Sequence, residues 1–166
     1  MTMRTVTAEL EGDGLSLVAR TGSGYTIVMD DADGDTGARP AELLVVAQAG
    51  CTAMDVISVL RKKRQPFTRY RVRVVGEQRD DPGPHVFEQM RIVHVVDGPV
   101  DIAALRRAIE LSATKYCTVS ANLAAGMTVI RHSFLLYDPN GEEHYGEVAV
   151  TGPYQRDPAV RSGASL

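Results

Sequence analysis

The stretch PAELLVVAQAGCTAMDVISVLRKKR, Pro40 to Arg64, decides the fold. Proline suits the first position of a helix, where its missing N–H is not needed, and no further proline follows until Pro66. Arg61, Lys62, Lys63 and Arg64 close the segment, where positive charge meets the negative end of a helix dipole. The pattern therefore predicts one long helix. Its middle, LLVVAQAGCTAMDVISVL, is apolar nearly all round, which predicts burial on several sides. So small a chain cannot cover such a helix alone, and a second subunit is expected to supply part of the cover.

Outward from the helix, the sequence alternates. TVTAEL, LSLVA and YTIVMD precede it, punctuated by EGDG and RTGSG, and read as short antiparallel strands joined by glycine turns. The acidic DDADGDTGAR between them and the helix has no periodicity and reads as a mobile loop. Its aspartates imitate part of a calcium loop, but no bidentate glutamate follows at the twelfth position. After the helix, Arg69 to Arg79 and His85 to Val96 alternate on either side of DDPGP and predict a β-hairpin. Asp101 is a good N-cap for a second helix, DIAALRRAIELSATKY. Cys117 opens a short third helix that Gly126 stops, MTVIRHSFLLYD returns to strand, and a last strand is expected near Glu147 to Val150. The fold class is α+β, with antiparallel sheets wrapped around a long buried central helix. One domain is expected over residues 1–150, followed by a disordered tail over 151–166.

Composition narrows the partners. Lys and Arg number 18 against 21 acids, a net charge of −3, which offers no basic face to nucleic acid or to an anionic membrane. The N-terminus shows no apolar signal core, and the longest apolar run, Leu43 to Ala47, is too short to span a bilayer. A cytoplasmic protein is expected, in which cysteines are free or reversibly oxidised. There are two, Cys51 inside the long helix and Cys117 in SATKYCTVSANL. Together they suggest a two-thiol redox site, although a buried cysteine is also simply a small apolar side chain. Cys117 at a helix start, with Lys115 beside it, is placed to ionise. Asp55, one helical turn beyond Cys51, would oppose ionisation of that thiol unless a cation stands nearby. The four histidines show no metal-ligand spacing, so no metal and no cofactor beyond the thiols is expected.

The residues around the two cysteines carry a resemblance. GARPAELLVVAQAGCTAMDVISVL resembles the central-helix motif of the OsmC/Ohr family, roughly PxELLLAALGGCTAIDVxSxL, and ELSATKYCTVSANL resembles its second motif, roughly LSxxKYCxVxxxL. EQRDD and VIRHSF place the chain closest to the YhfA-like branch, and the resemblance runs from about Thr5 to Leu136. It implies an OsmC-like fold, an intertwined homodimer, and a redox site where the cysteines meet. It further implies a thiol peroxidase in which Cys51 attacks a small hydrophobic organic hydroperoxide, Cys117 resolves the product, and an external dithiol reductant regenerates both. The family's supporting arginine and glutamate are sought at Arg20 or Arg39 and at Glu42. The family glutamate lies ten residues before the first cysteine, where this chain has Ala41, and nine residues turn an ideal helix by about 180°. His94 and His132 have counterparts in the YhfA-like branch, which makes them candidate neighbours of the site. The competing expectation is a non-catalytic ligand-binding module or thiol sensor that keeps the fold and the cysteines.

Overall fold

A computed structural model describes residues 2–81 and 83–148. The expected tail over 151–166 lies outside them. The elements run β1 (Val6–Leu10), β2 (Leu17–Thr21), β3 (Thr26–Met29), α1 (Pro40–Lys62), β4 (Arg69–Gln78), β5 (Phe87–Asp97), α2 (Ile102–Leu111), a π-helical turn (Ser112–Tyr116), α3 (Thr118–Ala125), β6 (Val129–Tyr137) and β7 (Glu143–Val148). They fall into two compact units that part between Leu44 and Val45.

The first unit is an antiparallel meander in the order β1-β2-β3, with Val6 opposite Thr21 and Leu17 opposite Met29. Gly12 and Gly24, at φ 74° and 92°, make the turns that the glycine clusters predict. The acidic stretch that follows is not the loose loop its composition suggests. Asp30 is buried and accepts from the Asp31 and Thr36 amides at 2.8 and 3.2 Å, while Asp31 accepts from those of Asp33 and Gly34. Aspartate side chains fold such a segment by standing in for backbone acceptors.

In the second unit β4 and β5 form the predicted hairpin, with Val72 opposite His94. The expectation of purely antiparallel sheets fails at the next pair. β5 and β6 run parallel, Ile92 opposite His132, because the helical residues 102–125 carry the chain across the sheet between them. β7 then pairs antiparallel with β6, beginning earlier than expected. Gly146 on β7 faces Phe134, where a Cβ would stand 2.7 Å from the ring that Arg106 covers at 5.0 Å. Val56, Val59 and Leu60 of α1 close the core with Val96, Leu105, Ala108, Ile109, Phe134 and Leu136.

The long helix ends as its basic run predicts, two residues early. Arg64 takes φ 53°, its amide reaches Arg61 O and the Gln65 amide reaches Leu60 O, both at 2.9 Å, a Schellman ending without glycine. Burial on several sides is corrected for the single chain. Gln48, Thr52, Val56, Val59 and Leu60 are buried, whereas Val46 and Met54 on the opposite face keep 62% and 74% of their surface. As a helix α1 is long and apolar enough to cross a bilayer, which the longest unbroken apolar run concealed. Its side-chain hydrogen bonds within the unit mark it as a core helix instead.

Candidate functional site

The buried stripe of α1 turns polar toward its middle, and two helical ends meet it there. α2 is amphipathic and begins at Asp101, whose carboxylate accepts from the Ala104 amide at 2.7 Å, so the cap is the predicted one. It does not continue to Tyr116. After Leu111 the winding widens, and the Cys117 amide bonds Ser112 O at 2.8 Å, five residues back. That turn places the Ser112 side chain and Cys117 on the same side of the helix junction. Cys117 then caps α3, its Sγ accepting from the Ser120 amide at 3.3 Å.

The two cysteines that lie 66 positions apart in sequence come together. Cys51 Sγ, Cys117 Sγ and a carboxylate oxygen of Asp55 lie within 4.8 Å of one another, and both thiols are free. Cys51 is half-buried and Cys117 fully buried. Asp55 Oδ2 accepts from Ser112 Oγ at 3.0 Å, so Ser112 must in turn accept from Thr52 Oγ1, also at 3.0 Å. Gln48 Nε2 donates to Ser120 Oγ at 2.8 Å and lies 3.9 Å from Cys117 Sγ. Its Oε1 is buried and has no partner among the described residues.

The electrostatics overturn one expectation. A helix start and Lys115 should favour a Cys117 thiolate, yet burial pushes that thiol up to about 11, and the hydrogen bond and charge of Cys51 push the same way. The Ser120 contacts pull down and lose. Lys115 lies instead over the Tyr116 ring at 5.7 Å. Asp55 is raised above the usual carboxylate range, by burial first and despite the Ser112 hydrogen bond.

A second buried polar row crosses the sheet. Tyr70 Oη and His94 Nδ1 are 2.5 Å apart, and His94 Nε2 and His132 Nδ1 are 3.2 Å apart. The imidazole planes differ by 8° with centroids at 5.6 Å, the separation of rings meeting edge to edge through that N···N contact. Burial lowers His94 well below its ordinary value, with His132 adding to it, and lowers His132 to about 4, so both are neutral. With the phenol donating to Nδ1, His94 passes one hydrogen bond on from Nε2 to His132 Nδ1, and His132 Nε2 is left without a partner among the described residues. The Tyr70 hydroxyl is held protonated, first by burial and then by the charge of Asp55, so the carboxylate beside the thiols acts on this row as well.

The remaining candidates lie in the first unit. Arg20 donates to Thr26 Oγ1 at 3.4 Å within its sheet. Arg39 pairs with Glu42 at 3.8 Å, and Glu42 Oε2 accepts from the Arg39 amide at 3.0 Å, which caps the start of α1. In the second unit no hydrogen bond or ion pair among the described residues joins an arginine or lysine to Cys51, Asp55 or Cys117. Gln48, Thr52, Ser112, Ser120 and Tyr70 carry no catalytic motif of their own that marks them in the sequence. Polar residues at positions 48, 52 and 55 of an otherwise apolar helix, spaced i, i+4, i+7, were the available signal.

Among other donor clusters, Asp138, Glu142 and His144 bring one atom each within 4.8 Å at the β6–β7 turn. Asp138 there already accepts from the Asn140 and Glu142 amides at 2.8 and 2.9 Å, which is the work of a turn residue.

A family profile described as OsmC-like protein matches residues 32–131. The chain is 36% identical to protein YhfA of Escherichia coli K12 over 123 residues, 74% of this chain and 90% of that one. Its fold is that of the OsmC-like protein from Mycoplasma pneumoniae, at TM-score 0.71 and 17% identity over 81% of this chain and 97% of that one. It also superposes on the organic hydroperoxide resistance protein OhrB of Bacillus subtilis, at TM-score 0.55 and 15% identity over 80% and 98% of the two chains.

Proposed function

The chain belongs to the OsmC-like protein family, and on that premise we propose that it is a thiol-dependent peroxidase acting on organic hydroperoxides. The observation that carries the reading is the meeting of two free thiols with a carboxylate inside 4.8 Å. The Cys51 thiolate attacks the terminal oxygen of the hydroperoxide, the O–O bond breaks, and the leaving alkoxide takes up a proton to depart as an alcohol. Cys51 is left as a sulfenic acid. The Cys117 sulfur then displaces hydroxide from it, which leaves as water, and an external dithiol reduces the resulting disulfide. Cys51 is the attacking thiol because it is the less buried of the two.

A homodimer belongs to the same reading. Val46, Gly50 and Met54 follow one another at one-turn spacing on the uncovered face of α1, and a Cβ on Gly50 would meet nothing within 4 Å. A second copy of this helix face is the cover that an apolar stripe in a cytoplasmic protein requires. The test of activity is consumption of cumene hydroperoxide with dithiothreitol as reductant. Wild type should turn over repeatedly and Cys51→Ser should fall to the rate of buffer. Absence of turnover in the wild type would overturn the reading.

A second reading, a thiol sensor or ligand-binding module, draws on the lack of a cation bonded to the thiols among the described residues of this unit and on the elevated Cys117 thiol. It is distinguished by the pH dependence of thiol alkylation: a Cys51 that alkylates as a thiolate well below neutral pH supports the peroxidase, and one that alkylates only at or above pH ~8 supports the sensor or module.

A further inference from the structure

We infer that Asp55 is the base that takes the proton from Cys117 when that thiol resolves the oxidised Cys51. The inference rests on the peroxidase reading and supplies what the paired thiols lack. A neutral thiol does not displace hydroxide from a sulfenic acid, and Cys117 is buried and resists ionising. Cys51 is half-buried, whereas Cys117 is shut inside the protein and needs an acceptor there.

The acceptor is in place. An Asp55 oxygen shares the 4.8 Å cluster with both sulfurs. The one residue Ser112 aligns the pair, its hydroxyl donating to Asp55 Oδ2 at 3.0 Å and its carbonyl accepting from the Cys117 amide at 2.8 Å. The π-helical turn makes both contacts possible, and Thr52 fixes the Ser112 hydroxyl from below. The histidines, by contrast, are engaged with one another and with Tyr70.

Charge conservation decides the matter. As a spectator, a carboxylate beside a thiol only disfavours the thiolate, since losing the proton to solvent would leave two buried negative charges together. Transfer from Cys117 to Asp55 keeps the cluster at a single negative charge throughout. Burial also raises the proton affinity of Asp55, which narrows the gap to the thiol it must serve.

The step balances. The Cys117 proton passes to the carboxylate, and the Cys117 electron pair forms the S–S bond to Cys51. The S–O bond of the sulfenic acid breaks, and the departing hydroxide takes the proton back from Asp55 to leave as water. Cys51 sulfur is reduced, Cys117 sulfur oxidised, and the carboxylate restored.

The experiment follows the two steps separately in the reduced full chain, in chelator-treated buffer, after one equivalent of cumene hydroperoxide. Sulfenic acid is trapped with dimedone and disulfide counted by mass. Asp55→Asn should still form sulfenic acid on Cys51 but close the disulfide on the order of 10²-fold more slowly, within the range of a lost general base. Raising the pH should rescue Asp55→Asn by about tenfold per unit, as hydroxide replaces the missing base, while the wild type stays nearly flat. Asp55→Glu should restore part of the rate at neutral pH. Disulfide closure at the wild-type rate in Asp55→Asn overturns the inference. So does a slowed closure that pH does not rescue, which would assign Asp55 a structural role. If the wild type consumes no hydroperoxide, the peroxidase reading fails on its own. Diamide then serves as the oxidant, and the same delay in Asp55→Asn still decides whether Asp55 serves Cys117.

Discussion

The interior of the second unit has two ends built on opposite terms. At one end α1 brings Val56, Val59 and Leu60 against Leu105, Ala108 and Ile109 of α2 and Val96, Phe134 and Leu136 of the sheet. One turn and more toward the start of α1, the same buried stripe presents Thr52 and Gln48, paired with Ser112, Ser120 and Cys117. Both helices change character together, apolar facing apolar and polar facing polar. Burying hydroxyls, amides and a carboxylate is costly unless each finds a partner, so the polar end adds less to stability than aliphatic packing would. Its retention in a 166-residue chain is intelligible if it carries the chemistry.

The comparison breaks most directly at its apolar end. Leu60 is fully buried, and Leu60→Ala removes packing that nothing nearby can replace. A loss of about 2–5 kcal/mol is expected, read from the urea midpoint. A loss under about 1 kcal/mol would mean that the apolar end is not the part holding the unit together.

Acid probes the buried imidazoles. His94 and His132 take a proton less readily when folded than when unfolded, so the unfolded chain binds more protons below pH ~6.5. Stability is therefore full above that pH and is lost as pH falls toward about 4, where His132 protonates in the folded state. His132 alone should cost about 2 kcal/mol by pH 5, out of about 3 in all. Asp55 works the other way, because its folded form holds a proton more readily than its unfolded form. Urea unfolding at pH 7 and pH 5 in Asp55→Asn isolates the imidazoles, and equal stability at the two values in that variant would show that they are not buried neutral.

How much of this was legible follows the range of the interactions. Local chemistry reads well: Pro40 and the basic run mark the ends of α1, Asp101 caps α2, and glycine clusters mark the turns of the first sheet. The cysteines were placed together by family resemblance, not by spacing. Three things stayed hidden because no short stretch encodes them. The parallel pairing of β5 with β6 is a choice of neighbour and direction made across the sheet. The π-helical turn in SATKY goes with contacts far away in sequence, Ser112 to Asp55 on α1, which no short stretch displays. The elevation of Cys117 comes from burial, which outweighs the helix start that the sequence does show. The candidates Arg20, Arg39 and Glu42 illustrate the same limit. Each makes its contacts within the first unit, and the positions alone said nothing of partners.

The smallest expected effect is the most discriminating. Gln48 is fully buried with one amide atom already unpartnered, and Ser120 holds the other at 2.8 Å. Ser120→Ala would leave that donor only the weak Cys117 sulfur at 3.9 Å, at a cost of about 1–3 kcal/mol in the urea midpoint. Gln48→Leu in the same chain removes both amide atoms and should recover most of the loss, since replacing both partners of a buried pair by apolar groups is nearly neutral. If the polar end exists for chemistry, this double variant should regain stability without regaining function. Gln48 Nε2 is a side-chain neighbour of Cys117 Sγ, so disulfide closure should stay impaired while the fold is sound. Recovery of both together would show that the polar pair is only scaffolding. A double variant no more stable than Ser120→Ala alone would show that Gln48 packs by shape rather than by its hydrogen bond.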